Sequence, residues 1–489
     1  MVQFNLDDER TWKGLLALGL LLNLIVCFTS DLGLDTHVKM AVDAEGGLAW
    51  GDLRPEVAGQ SDPTDIGERT VLPIYAGSEA SIKAFALLSF VLLIGYVYRA
   101  VGERTAAILS ISPALIFSVG RGYEEVYFAL MFALAFALFT GLWSTHRRLL
   151  QNLLGGCILM MIPFTKGMTE VTSVLLYGLV LGAIGSLWHW LQEREDERLT
   201  FLRHPFQAAC TAAGAVTTLM VLAGLFSTSP TLGVMKDMPL RFASAIAFSL
   251  FDAVVLFVLF GMVLWPLLRP GLAAMKSIEH PQIATMSAMI AAAMVAIVFY
   301  IAALWTYESV LWSASWPGVV WTMGNNGRYI TLLFIPIVLL LKHLNQAAGT
   351  PTFESPGQAL KPIAITLALL LPLSLLAGIH GQTMWTDEAA DAMGLEENEH
   401  FLFVSDATLG MHWLYTFFEP LDAEQNNITG HWRSVEINWV DALDQELSHV
   451  EVIVLAPEVD NVPTGWVVES TGEVDLLNGG GEWRVLTRT

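Results

Sequence analysis

Apolar stretches of membrane-spanning length recur along this chain, separated by short polar loops and by two long acidic segments. Eleven are read as helices, near 12–30, 81–99, 105–119, 126–143, 150–164, 171–191, 206–226, 244–268, 283–305, 329–344 and 361–380. A bilayer core of about 30 Å takes roughly 20 apolar residues in helical form. The pattern predicts an α-helical polytopic membrane body over residues 1–380, with about 11 transmembrane helices. The third and fifth stretches are short, and Pro113 lies within the third, where its missing N–H predicts a kink. After residue 380 the pattern changes. Positions 401–405 and 450–455 read as buried strands, 407–418 and 440–447 as helices. Positions 465–470 and 483–487 read as a hairpin closed around Asn478-Gly479-Gly480-Gly481. A small C-terminal α/β domain over 381–489 is expected.

Composition agrees. The 489 residues are 54% hydrophobic and 15% charged, against roughly 25% charged in soluble domains. Arg10, Lys13, Arg99, Arg104, Arg147, Arg148, Arg194, Arg198, Arg203, Arg269, Lys276, Lys342 and Lys361 fall in short loops on alternate sides of the spans. Positive residues in short loops mark the cytoplasmic side. The N-terminus is therefore expected inside, with the loop 31–80 and the C-terminal domain extracytoplasmic. The net charge is −22, and 21 of the 47 acidic residues follow residue 380. With no basic patch, nucleic acid is excluded as a partner. Cys27, Cys157 and Cys210 all lie in predicted spans, so no disulfide framework is expected. Asp7, Asp8 and Glu9 precede the first span, and no small-residue cleavage site follows it. It reads as a retained anchor, not a signal peptide. Asn427-Ile428-Thr429 has the form of a glycosylation acceptor.

Candidate chemistry gathers at helix ends on one expected face. Asp31, Asp35 and His37 follow the first span. Arg121, Tyr123, Glu124 and Glu125 lie between the third and fourth, Lys166 and Glu170 between the fifth and sixth, and Arg328 and Tyr329 before the tenth. Carboxylates beside cations at a membrane surface suit transfer of a sugar from a lipid phosphate. One carboxylate takes the proton of an attacking hydroxyl, and the phosphate leaves as an anion stabilised by Arg and Lys. A single displacement of this kind inverts the anomeric centre.

At Asp31-Leu32-Gly33-Leu34-Asp35-Thr36-His37, at Tyr123-Glu124-Glu125, at Ser112-Pro113 and at Gly327-Arg328-Tyr329, the chain resembles the GT-C superfamily of integral-membrane glycosyltransferases. The resemblance implies a polyprenyl- or dolichyl-phosphate sugar donor and a glycan, lipid or protein acceptor. Mannosyl or other hexosyl transfer at the external face would be its activity. It implies Asp35 as base, with Glu124 and Glu125 orienting substrate. Arg121, Lys166 and Arg328 would hold the donor phosphate, and Asp31, His37, Tyr123 and Tyr329 would contact donor or acceptor. A divalent cation, Mg or Mn, would be held by Asp31, Asp35 and His37, although Asp31-x3-Asp35-x-His37 is not the tight Asp-x-Asp of some members.

Blander roles stay open for each residue. Asp31 and Asp35 can be caps or solvated loop residues, and His37 a packed histidine. Arg121, Lys166 and Arg328 can be headgroup anchors, while Tyr123, Tyr329, Trp312 and Trp316 suit an aromatic belt. Asp252 is the one carboxylate well inside a span. It serves either as polar glue between helices or as the centre of a secondary transporter or lipid flippase, the alternative reading of the whole chain.

Overall fold

The computed structural model describes residues 8–44, 50–52, 78–142, 148–166, 171–226, 230–261, 271–311, 315–322, 324–355, 360–379, 383–406, 409–436, 438–476 and 479–489. Glu170 and Trp312 lie outside these. The membrane body runs α1 (Glu9–Thr29), α2 (Leu34–Ala44), α3 (Glu79–Ala100), α4 (Glu103–Ser110), α5 (Pro113–Gly120) and α6 (Glu125–Phe139). It continues with α7 (Arg148–Thr165), α8 (Val171–Gln192), α9 (Pro205–Phe226), α10 (Pro230–Asp237) and α11 (Pro239–Gly261). Then come α12 (Pro281–Leu311), a 3-10 segment Gly324–Leu333 leading into α13 (Phe334–Ala347), and α14 (Leu360–Ile379).

Among the described residues seven helices are long and apolar enough to cross a membrane, or eight if the bent pair α5 and α6 counts as one span. The eleven expected spans are thus not reproduced as eleven continuous helices. The expected third span breaks into α4 and α5 at Ser112. Pro113 has no N–H for the preceding turn, so it opens a new helix instead of continuing the old one. The chain then turns through 118° between α5 and α6. That corner, Arg121 to Glu124, becomes part of the site.

Most of the spanning helices bury one side in the protein and leave the other exposed, whereas Arg328–Ala347 is 78% buried. On α1 the buried residues Trp12, Leu15, Gly19, Asn23, Val26 and Cys27 follow helical spacing, while Leu18, Leu21, Ile25 and Phe28 face outward. Small residues let backbones meet where lipid offers no hydrophobic drive. Gly178 and Gly182 of α8 lie against α7, and a Cβ on Gly156 would come within 2.0 Å of the Gly178 carbonyl oxygen. This close seam places the end of α7, where Lys166 stands.

The C-terminal domain opens with α15 (Trp385–Met393) and contains β1 (His400–Ser405), α16 (Gly410–Tyr415), β2 (Thr429–Ser434), α17 (Trp439–Asp444), β3 (Val452–Leu455), β4 (Trp466–Glu473) and β5 (Glu482–Arg488). The sheet order is β2-β1-β3-β5-β4. β1 pairs in parallel with β2 and β3, and β5 pairs antiparallel with β3 and β4. The expected strands, both helices and the closing hairpin are present; β2 is an addition. Its residues Thr-Gly-His-Trp-Arg-Ser carry few β-branched side chains, so strand propensity gave little signal.

The long first loop does not merely cover this domain; it enters it. Trp50, 3% exposed, donates from Nε1 to the Ile428 carbonyl at 2.9 Å and packs on Phe401, Tyr415 and Phe418. Asp52 pairs with β2 as a short parallel bridge, its N–H bonding Gly430 O and its carbonyl accepting from Trp432 N–H. Val38 and Ala41 of α2 belong to the same apolar core. Truncating Trp50 to Ala is expected to cost about 3–5 kcal/mol and to make the C-terminal domain protease-sensitive in detergent. Wild-type resistance would mean that the loop only rests on the domain.

Candidate active site

The site begins where α1 ends. Gly33 donates its N–H to the Arg121 carbonyl at 2.9 Å, and Thr36 Oγ1 donates to the same oxygen at 3.2 Å. Gly33 is required here by space: a Cβ would fall 2.2 Å from the Tyr123 ring. Gly122, at φ +64°, supplies the left-handed residue that the corner between α5 and α6 needs. These contacts hold α2 against the corner. Helical spacing then puts Asp35 and Lys39 on one face of α2, pointing at the membrane body, while Val38 and Ala41 face the C-terminal domain.

Three carboxylates and three cations from four elements meet there. Arg328 donates from Nη2 to Asp35 Oδ2 at 2.6 Å and from Nε to Glu125 Oε1 at 2.8 Å. Lys166 Nζ lies 2.9 Å from Glu124 Oε2, and Lys39 pairs with the other oxygen of Glu124. The guanidinium of Arg328 stacks on Tyr123, 4.1 Å from the ring centroid, and Lys166 faces the Tyr329 ring at 5.3 Å. Tyr300 of α12 meets Tyr329 edge to face. Glu124, Glu125 and Arg328 are buried, whereas the Asp35 side chain is 35% exposed and forms the open edge. Formal charges in the cluster balance.

Burial alone would push the Asp35 carboxyl up. The Arg328 guanidinium, helped by Lys166, His412 and Lys39, outweighs it and holds the group well below the usual carboxylate range. Glu124 behaves in the same way: burial opposes ionisation, and Lys166 and Lys39 overcome it. Burial lowers Lys39, with Glu124 only partly offsetting it. For Lys166 the balance reverses, Glu124 and Tyr329 raising it well above an ordinary lysine against the pull of burial. The Tyr123 phenol is pushed up to about 12, chiefly by burial. It stays a neutral hydroxyl.

Of the residues singled out in the sequence, the structure brings together Asp35, Glu124, Glu125, Lys166, Arg328, Tyr123 and Tyr329. Arg121 is not with the other cations. Its guanidinium lies on the Phe117 ring at 4.1 Å and reaches the Phe117 and Ala377 carbonyls, because the corner turns it back along α5. Asp31 and His37 form a separate group behind α2. Asp31 accepts from the Met384 N–H at 2.9 Å, and His37 Nε2 lies 3.8 Å from Asp31 Oδ1. Asp31, Asp35 and His37 therefore do not converge. Among the described residues the one group of three His, Cys, Asp or Glu with ligand atoms within 4.8 Å of one another is elsewhere. Asp252 is half-buried on α11, and its Oδ2 has no hydrogen-bond partner among the described residues.

Two cluster members escaped the sequence reading. Lys39 carried a usable signal, since Asp35-x3-Lys39 is the i, i+4 spacing of one helix face, but a helix within the loop was not expected. His412 carried none. It comes from α16 in the C-terminal domain and puts Nε2 3.8 Å from Asp35 Oδ1, although the two residues are far apart in sequence.

No family model matches the chain, and no curated protein sequence matches it. Among solved structures, the crystal structure of ArnT from Cupriavidus metallidurans bound to undecaprenyl phosphate is similar over 99% of this chain and 99% of that one. The identity is 12% and the TM-score 0.48. By its own fold and site, the protein is an integral membrane protein of the helical, polytopic class. It carries a small α/β domain docked over a buried cluster of carboxylates and cations.

Two outcomes follow from this geometry. Replacing Arg328 by Gln leaves Asp35 and Glu125 facing each other without their shared cation. Breaking such a buried pair is expected to cost about 3–5 kcal/mol, read as a lower thermal midpoint in detergent; an unchanged midpoint would show the pairing to be idle. The second concerns Asp387, raised to about 8 by burial and by its hydrogen bond to the Asp31 carboxylate. The folded protein keeps that proton where the unfolded chain releases it. Between roughly pH 4 and 8 the group thus lowers stability as pH rises. Asp387→Asn should lie increasingly above wild type in thermal midpoint from pH 5 to pH 8, and parallel curves would refute the retained proton on Asp387.

Proposed function

We propose that the protein is a glycosyltransferase that moves a sugar from a polyprenyl- or dolichyl-phosphate carrier to a glycan, lipid or protein acceptor at the external membrane face. The observation that carries this reading is the balanced cluster itself. Asp35, kept ionised and open on one side, stands beside three cations at the end of the membrane body, where a lipid-borne phosphate would arrive. The resemblance of the surrounding motifs to GT-C glycosyltransferases points the same way.

In this reading the acceptor hydroxyl attacks the anomeric carbon and its proton passes to Asp35. The bond from that carbon to the phosphate oxygen breaks, its electron pair leaving with the phosphate. Arg328, Lys166 and Lys39 stabilise the anion. A carboxylate held far below the usual range is a weak base for a ground-state hydroxyl. It suits a transition state with oxocarbenium character, where the hydroxyl becomes acidic only as it bonds to carbon. The bonds to Asp35 and Glu125 use two of the five N–H donors of Arg328. The second oxygen of Glu125 is buried and has no hydrogen-bond partner among the described residues. None of these steps requires a divalent cation from Asp31, Asp35 and His37.

The transporter or flippase reading rests on Asp252 alone. One assay separates the two. Membranes holding wild type, Asp35→Asn or Asp252→Asn are incubated with radiolabelled polyprenyl-phosphate sugars and a native glycan and lipid extract. Loss of the base should cut transfer about 10²–10⁴-fold, while Asp252→Asn keeps it. Full transfer by Asp35→Asn would overturn the assignment. Abolished solute or lipid flux in Asp252→Asn, with no sugar transfer by any variant, would establish the transporter.

A further inference from the structure

Away from this cluster, three histidines converge on the C-terminal sheet where β2, β1 and the start of β3 lie side by side. His400 opens β1, His431 lies in β2, and His449 stands just before β3. The parallel register pairs His400 with Thr429 and Leu402 with His431. Side chains alternate along a strand, so His400 and His431 share one face as diagonal neighbours. His400 Nδ1 lies 3.1 Å from His431 Nε2, and one ligand atom from each of the three lies within 4.8 Å of the others. Ring centroids of His449 fall 4.6 Å from His400 and 5.3 Å from His431.

Stacked histidines could be no more than a hydrogen-bonded aromatic cluster. What distinguishes this one is the group behind it. Asp52, from the first loop, places Oδ2 3.3 Å from His431 Nδ1, and the same oxygen accepts from Arg433 Nη2 at 3.0 Å. A carboxylate receiving one ring N–H fixes the tautomer that leaves the other nitrogen's lone pair free, the arrangement usual behind metal-bound histidine. The lone pair is on Nε2, the atom that faces His400. Arg433 meanwhile occupies Asp52 and keeps the carboxylate out of the inner sphere.

We propose that His400, His431 and His449 form a binding site for a divalent transition metal of the zinc class, with Asp52 as the residue that orients His431. Three imidazoles suit zinc and its neighbours, whereas Mg and Ca prefer oxygen ligands. Two nitrogens about 2.1 Å from one tetrahedral metal are roughly 3.4 Å apart, close to the spacing of His400 and His431. His449, exposed, closes the remaining gap by side-chain rotation, and a fourth position stays open to water. On binding, the His400 proton moves from Nδ1 to Nε2, and each ring remains neutral. The metal ties β1, β2 and the turn before β3 together, and through Asp52 it secures the first loop to the sheet.

The test uses full-length protein in detergent, stripped with a chelator and dialysed against micromolar zinc chloride. One zinc per chain is expected by elemental analysis, with visible absorption of tetrahedral type when cobalt(II) replaces zinc. His449→Ala, an exposed substitution that leaves the strands intact, should lose the metal, as should His431→Gln. Asp52→Asn should weaken binding about 10–100-fold. Absence of stoichiometric zinc in wild type, or undiminished zinc in His449→Ala, would overturn the site.

Discussion

The contact on which the candidate site depends is the guanidinium of Arg328 held between Asp35 and Glu125. The three residues are far apart in sequence, with 203 positions separating Arg328 from Glu125 and 293 separating it from Asp35. In a partly dry site, two carboxylates this close to one another and to Glu124 would not all stay ionised without cations among them. Arg328 answers two of them with a planar fork that a lysine cannot reproduce, and Lys39 and Lys166 answer the third. The α5–α6 corner, the close α7–α8 seam and the docking of α2 each deliver one party to this balance.

A second acidic group nearby shows what happens when the balance fails. Asp387 feels Asp31, Glu419 and Glu79, and Glu419 feels Glu79, Asp31 and Asp422, with Lys83 the cation that acts on Glu419. Here the carboxylates do not all ionise. Asp387 keeps its proton, first because it is buried and then because Asp31 lies beside it, and Glu419 is raised as well, first by burial and then by its acidic neighbours. The same residue type thus stays charged on one side of α2 and holds a proton on the other. The difference lies in how many cations each side receives.

The C-terminal domain is a working part of this arrangement, not an appendage. It receives Trp50 into its core and Asp52 onto its sheet, it offers the Met384 N–H to Asp31, and it brings His412 toward Asp35. The boundary near residue 380 divides the sequence by composition. It does not divide the structure, because α2 is shared by the membrane body on one face and by the C-terminal core on the other.

Membrane residence, the helical body, the small α/β domain and its closing hairpin were all legible in the sequence, since they follow from hydropathy and from the two side-chain periods. So were Asp35, Glu124, Glu125, Lys166 and Arg328, because charged residues at the ends of apolar spans are few and conspicuous. The break at Pro113 was legible as a kink, but not the sharp reversal after it, which depends on how α5 and α6 pack. Which carboxylates would meet which cations could not be read at all. Asp31 and Asp35 look equivalent in the sequence, four residues apart on the same short segment, yet Asp35 on α2 faces Arg328 while Asp31, just before the helix, faces Met384. Arg121 looked like Arg328 and points elsewhere. His412 and the three clustered histidines meet their partners only through the docked loop and the parallel strands. Hydropathy and spacing are properties of neighbours along the chain. Charge pairing between distant segments is settled only when packing has chosen which faces touch.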